Sequence, residues 1–277
     1  MSISVHTNQS ALIALQNLNT TNDGLAEAQN RISTGLKVQG PKDNASVWGI
    51  AQAQRGDLGS LAAVKMSLDR AVSIADVSLA AGESVSDLLI ELKEKVVAAM
   101  DPSLDTASRT ALDSDFKALL DQIGQSADAA EFDGANLLNG SLAGDISFLA
   151  NAAANDYVTL SAKDLSLGGA IITIGATASI TTQTLATAVL ADLETSISAV
   201  NQSLGDIGAQ AKQIEAHSKF ITRLQDVLTS GIGNLVDADL AKESARLQAL
   251  QVQQQLGAQA LSIANSAPQI ILSLFKG

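Results

Sequence analysis

There is no cysteine anywhere in this chain, which removes disulfides, thiolate metal ligands and thiol nucleophiles together. Cations are scarce. Lys and Arg number 17 against 29 Asp and Glu, for a net charge of −12, so the clustered positive charge that a phosphate backbone requires is missing. Aromatic residues make up 3% of the chain while hydrophobic residues make up 46%, so the apolar content is Ala, Leu, Ile and Val. Small side chains let helices approach closely, and such a core suits long bundled helices. There are two histidines, His6 and His217, and neither lies in an HExxH helix. His217 falls beside an apolar seam and reads as a seam-edge residue. Glycine-rich nucleotide loops and the GxSxG elbow are also missing. No enzyme activity, cofactor or metal is therefore expected. No run reaches the ~20 predominantly apolar residues that a membrane-spanning helix needs. The nearest, Leu256 to Phe275, is interrupted by Gln259, Asn265, Pro268 and Gln269. Nothing at the N-terminus has the pattern of a secretory signal, so export by a cleaved leader is not expected.

The charge that is present avoids both ends. Met1 to Asn22 and Leu247 to Phe275 carry no Lys, Arg, Asp or Glu. Both stretches keep helical spacing. Ala11, Leu18, Leu25 and Ile32 stand seven apart, and Leu240, Leu247, Leu250, Leu261, Ala264 and Ile271 fall on one heptad lattice. Glu243, Gln254, Gly257 and Pro268 interrupt the second lattice. A helix with an apolar stripe, a Gln/Ser/Asn back face and no charge is poorly suited to lie alone in water. Two readings fit: an antiparallel pair tying the ends of one domain together, or a polymer core in which many copies of both ends pack.

Between the ends, a first helix is expected from about Asn8 to Ser33, closed by Gly35. A connector with Gly40 and Pro41 follows, with Asp43 or Asn44 as the next N-cap. A long helix then runs from Ala45 to Met100, about 80 Å at 1.5 Å per residue. Leu61, Leu68, Ala75, Gly82, Leu89 and Val96 hold one heptad position, and Val72, Leu79 and Met100 its partner. Trp48 reads as core filler near its start, and Glu91–Lys95 as a solvated surface pair. Asp101-Pro102 stops the helix. A further helix buries Leu112, Phe116, Leu119 and Ile123. Asp133-Gly134 and Asn139-Gly140 are turn signals, with Ala135 to Leu138 a short strand between them. Ile146–Leu149, Tyr157–Leu160 and Ala170–Ile174 are β-favouring runs. Helical spacing resumes near Thr184, with Leu190, Ile197, Leu204 and Ala211 on one position and Leu193, Val200, Ile207, Ile214, Ile221 and Leu228 on the other. Gly231 and Gly233 read as a hinge before a terminal helix whose first turn holds Asp237 and Asp239. The fold class is mainly α: a long antiparallel coiled-coil-like bundle formed by both chain ends, with a small β-rich excursion in the middle.

The motifs at the two ends match a known family. NQSALIALQNL (Asn8 to Leu18), RISTGLKV (Arg31 to Val38), KDNASVWGIA (Lys42 to Ala51), EFDGANLL (Glu131 to Leu138), NLVDADLAKESARLQ (Asn234 to Gln248) and ALSIANSAPQIILSLF (Ala260 to Phe275) resemble the signatures of bacterial flagellin. The resemblance implies a structural subunit that polymerises into the extracellular flagellar filament used for swimming. It implies an inner-core helix over 1–33, a connector over 34–44, outer-tube helices over 45–140 and a variable solvent-facing region over 141–182. An outer-tube helix over 183–230 and an inner-core helix over 231–277 complete the layout. On that layout the inner-core packing residues are Leu12, Leu15, Leu18, Leu25, Ile32, Leu240, Leu247, Leu250, Leu261, Ile263, Ile271 and Leu274. The connector and hinge residues are Gly35, Gly40, Pro41, Gly231 and Gly233. Implied partners are further copies of the chain, sister flagellins, the flagellar cap, hook-associated proteins and an export chaperone of the type III pathway, with neither nucleic acid nor membrane. A hook–filament junction protein of the same family is the alternative.

Overall fold

The computed structural model describes residues 8–142 and 144–274, with side chains described as far as Ser266. Five helices carry the fold: α1 (Gln9–Thr34), α2 (Pro41–Ala99), α3 (Thr106–Asp128), α4 (Gln183–Val236) and α5 (Leu240–Leu274). Between α3 and α4 lie two antiparallel hairpins, β1 (Glu131–Phe132) with β2 (Ala135–Asn136), and β3 (Ile146–Leu149) with β4 (Tyr157–Leu160). The chain divides into two compact units, Met1–Gly56 with Leu228–Gly277, and Asp57–Val227.

In the second unit, α2 runs antiparallel to α4. Ser86 reaches Asn201, Lys93 reaches Glu194 at 2.9 Å, and Ser218 reaches Asp69. On α2 the expected row Leu61, Leu68, Ala75, Leu89 and Val96 is buried. Its partner row differs from the expected one. Val64, Ala71, Ser78, Val85, Leu92 and Ala99 are buried, while Val72, Leu79 and Met100 stay half-buried. On α4 the row Leu193, Val200, Ile207, Ile214 and Ile221 is buried as expected, and it is joined by Val189, Ser196 and Ser203 rather than Leu190, Ile197 and Leu204. The small residues allow close approach. Each buried serine donates its hydroxyl back to its own helix: Ser78 to Ile74 O, Ser196 to Asp192 O, Ser203 to Ala199 O. Gly82 lets this seam close tightly, because a Cβ there would overlap Leu204 Cδ2 unless that side chain shifted.

Helix α3 begins at Asp105, whose carboxylate accepts from Ser108 N–H at 2.8 Å. Its inner face is Asp113, Phe116, Leu120, Ile123 and Ala127, one step round from the expected Leu112 and Leu119. Lys95 pairs with Asp115 of α3 at 2.9 Å, in place of the expected Glu91. The Asp133-Gly134 turn has φ of 50° and 77°, the doubly positive geometry of a two-residue hairpin.

The segment from 144 to 182 is held along α4. Ala150 O meets His217 Nε2 at 2.7 Å, Ser161 N–H donates to Gln210, Lys163 pairs with Asp206, and Thr173 N–H donates to Ser196. Phe148, Leu160, Leu165, Ile172, Ile174 and Ile180 are buried. Ala170 to Ile174 is not a strand; it has no neighbouring strand beyond the single bridge Leu167–Ile172, and in place of a ladder Thr173 donates its N–H to Ser196 Oγ and its hydroxyl to Asp192 O of α4.

Two further expectations are corrected in the first unit. Gly231 and Gly233 are not a hinge, since α4 continues through both to Val236, held by buried Ile232 and Val236. The chain turns at 237–239, and Asp239 caps α5 by accepting from the N–H groups of Ala241 and Lys242. Trp48 is half-buried rather than core, with exposed Gly49 and Ile50 beside it.

Candidate functional site

The residues singled out at the two ends come together as the α1/α5 pair. Asn8 caps α1 by accepting from Ala11 N–H at 3.1 Å, and its amide donates to Ala264 O at 2.7 Å. Moving up α1 means moving down α5. Gly257 faces Leu18, where a Cβ would sit 3.2 Å from Cδ1; Gln254 donates to Asn22 at 2.7 Å; Gly24 faces Leu250. At the upper end Arg31 donates to Glu243 at 3.1 Å. Glu27 and Arg246 close a ring of alternating charge, since Arg31 also pairs with Glu27, and Arg246 lies 3.6 Å from Glu27 and 3.8 Å from Glu243. Glu243 is only 8% exposed.

The antiparallel register continues past the ends of the helices. Gly35, in the left-handed conformation at φ 71°, ends α1 with its N–H on Arg31 O. The connector then lies against the turn before α5. Lys37 and Val38 both donate to Val236 O, Ala238 donates to Gly35 O, and Leu36 bridges Asp237. Gly40 and Pro41 start a short helical turn, with Pro41 at its first position. Asp43 reaches back to the N–H groups of Gln39 and Gly40, which hold its carboxyl below the usual range. Asn44 is extended and caps the rest of α2 through Val47 N–H.

The expected packing residues separate into two groups. Leu18, Leu25, Ile32, Leu247, Leu250 and Leu261 are half-buried. Leu12, Leu15, Leu240 and Ile263 are exposed, Leu12 at 58% and Ile263 at 70%. The side chains of Ile271 and Leu274 lie outside those described, as does all of His6. Sequence reasoning missed Ile13, Val252 and Leu256, which share this exposure. Leu256 and Ile263 are seven residues apart, a second stripe that the first lattice obscured. The pair therefore spends its inner stripe on itself and leaves further apolar residues uncovered, and apart from Leu240 these lie in the charge-free stretches of the two helices. Among the described residues no acidic or histidine cluster could hold a metal ion, and no helix is long and apolar enough to cross a membrane. What this surface can do is pack against more apolar helices.

Residues 5–143 match the family described as the bacterial flagellin N-terminal helical region, and residues 190–275 match the bacterial flagellin C-terminal helical region. The chain belongs to the bacterial flagellin family. Flagellin FljJ of Caulobacter vibrioides is 56% identical to this flagellin over 100% of both chains. Flagellin FljM of the same organism is 48% identical over 99% of this chain and 98% of that one. A flagellin of Brucella melitensis is 39% identical over 99% of both. Among solved structures, Bacillus cereus flagellin matches with a TM-score of 0.50 at 22% identity, over 56% of this chain and 88% of that one. A flagellar hook-associated protein from Vibrio parahaemolyticus matches with a TM-score of 0.58 at 14% identity, over 70% and 100%. At those identities the structures speak for the fold alone.

Proposed function

We infer that this flagellin is a repeating subunit of the extracellular bacterial flagellar filament, and that the paired helices α1 and α5 form the polymer's inner core. The observation that carries the reading is the uncovered apolar surface, Leu12, Ile13 and Leu15 on α1 with Val252, Leu256 and Ile263 on α5, in two segments almost without charge. Such a surface is costly in water and is satisfied by other copies of itself. Full-length identity to flagellins favours the filament subunit over the hook–filament junction protein. Sister flagellins, the cap, hook-associated proteins and an export chaperone are the partners that go with this role. A structural role accounts for the site without catalysis.

The test is negative-stain electron microscopy of the full-length protein beside a truncation lacking residues 1–32 and 234–277. Long uniform tubes from the first and none from the second are expected. Tubes of equal length from the truncation would overturn the assignment of the core.

A further inference from the structure

We propose that Asn139–Gly140 is a self-modifying site, at which the asparagine converts without an enzyme to aspartate and isoaspartate. It is the one Asn-Gly pair in the sequence. Glycine matters here because the reaction is an attack by the next residue's backbone nitrogen on the asparagine side chain, and a side chain on that residue would obstruct it.

The geometry favours that attack. Gly140 lies in an exposed turn at φ 69°. Ser141 N–H donates to Asn139 Oδ1 at 3.0 Å, an Asx turn. That bond folds the amide back over its own C-terminal backbone and withdraws electron density from Cγ. The Gly140 N–H, the nucleophile, has no acceptor among the described residues. The flanks are fixed: Lys163 N–H donates to Leu137 O at 2.8 Å, Leu165 N–H to Leu138 O at 2.7 Å, and Asn139 N–H to Asn136 Oδ1.

In the step itself, Gly140 N bonds to Asn139 Cγ and loses its proton to water. The Cγ–Nδ2 bond breaks and ammonia leaves with a proton taken from water. A water molecule then opens the cyclic imide at either carbonyl, giving aspartate or isoaspartate. The isoaspartate product disturbs what surrounds it, because it routes the backbone at 139 through one extra carbon and lengthens a turn whose flanks are tied to Lys163 and Leu165.

Full-length protein would be held folded in mildly alkaline buffer, with a parallel sample unfolded in urea, until the unfolded sample shows conversion. Peptide mapping by mass spectrometry and an isoaspartate methyltransferase assay read the products. In the folded sample Asn139 is expected to convert several-fold faster than Asn155, whose next residue, Asp156, carries a side chain that obstructs the attack. Backbone hydrogen exchange at Lys163 and Leu165 is expected to rise as it does so, and Asn139→Gln is expected to abolish both changes. Asn139 remaining intact in the folded sample while it converts in urea, or converting no faster than Asn155, would overturn the proposal.

Discussion

Arg31 and Glu243 stand 212 positions apart in the chain and meet at 3.1 Å, fixing the register in which the two ends pair. Glu243 is buried, so its charge must be compensated where it lies. Arg31→Ala is expected to destabilise the α1/α5 pair by about 1–3 kcal/mol, since Arg246 remains close enough to offset part of the loss. The joint change Arg31→Met with Glu243→Leu is expected to cost less than the Arg31 change alone, because it removes the stranded charge. Hydrogen exchange of α1 and α5 backbone amides measures this. No difference between Arg31→Ala and the parent protein would contradict it.

The α2/α4 seam has a similar point of contact at Gly82 and Leu204. Gly82→Leu is expected to destabilise the second unit by about 1–3 kcal/mol through overpacking. Adding Leu204→Ala should recover most of that loss. Thermal unfolding of the single and double variants decides it, and purely additive effects would show that the two residues do not share the space.

Asp113 supplies an acid-sensitive tie. It is 4% exposed, and burial opposes its charge. Lys117 at 2.8 Å, Ile180 N–H at 2.7 Å and Ser179 Oγ at 2.7 Å outweigh that opposition and hold the carboxyl below its usual range. A folded-state value lowered from about 3.9 contributes stability that is present above about pH 4 and lost as pH falls through the folded value. Asp113→Asn is expected to cost about 1–2 kcal/mol at neutral pH and to flatten the stability profile below pH ~4. Denaturant unfolding across acid pH tests this, and parallel profiles for parent and variant would contradict it.

Charge placed on the uncovered apolar surface should block assembly without unfolding the second unit. Leu15→Glu and Ile263→Glu are each expected to prevent polymerisation, because a carboxylate buried in an apolar contact lacks a partner. The unfolding transition of Asp57–Val227 is expected to stay unchanged. Filaments of normal length from either variant would contradict the role assigned to that surface.

Much of this architecture is legible from the positions of large apolar residues. The rows Leu61 to Val96 and Leu193 to Ile221 announce themselves because Leu, Ile and Val at heptad spacing mark the buried face of a helix. Their partner rows are hidden because they are built from Ala71, Ser78, Ser196 and Ser203, residues equally at home on a surface. Their polarity is neutralised by hydrogen bonds to the preceding turn, which sequence spacing does not display. Asp113 was hidden for the same reason: its partners Ser179 and Ile180 lie far along the chain. Gly231 and Gly233 suggested a hinge from local propensity, and the burial of Ile232 and Val236 overrode it. At the ends, sequence reasoning identified the helices and named exposed Leu12, Leu15 and Ile263 beside half-buried Leu18 and Leu250. The structure sorted the stripe turned inward from the residues left open.

Hydroxyl-radical footprinting of the protein before and after polymerisation tests whether the α1/α5 pair forms the filament's core. Leu12, Ile13, Val252, Leu256 and Ile263 are exposed in the single chain, so all five should be oxidised there. Polymerisation is expected to protect them strongly. Oxidation of these residues to the same extent in polymer and single chain would contradict it, and would place the filament's core elsewhere in the molecule.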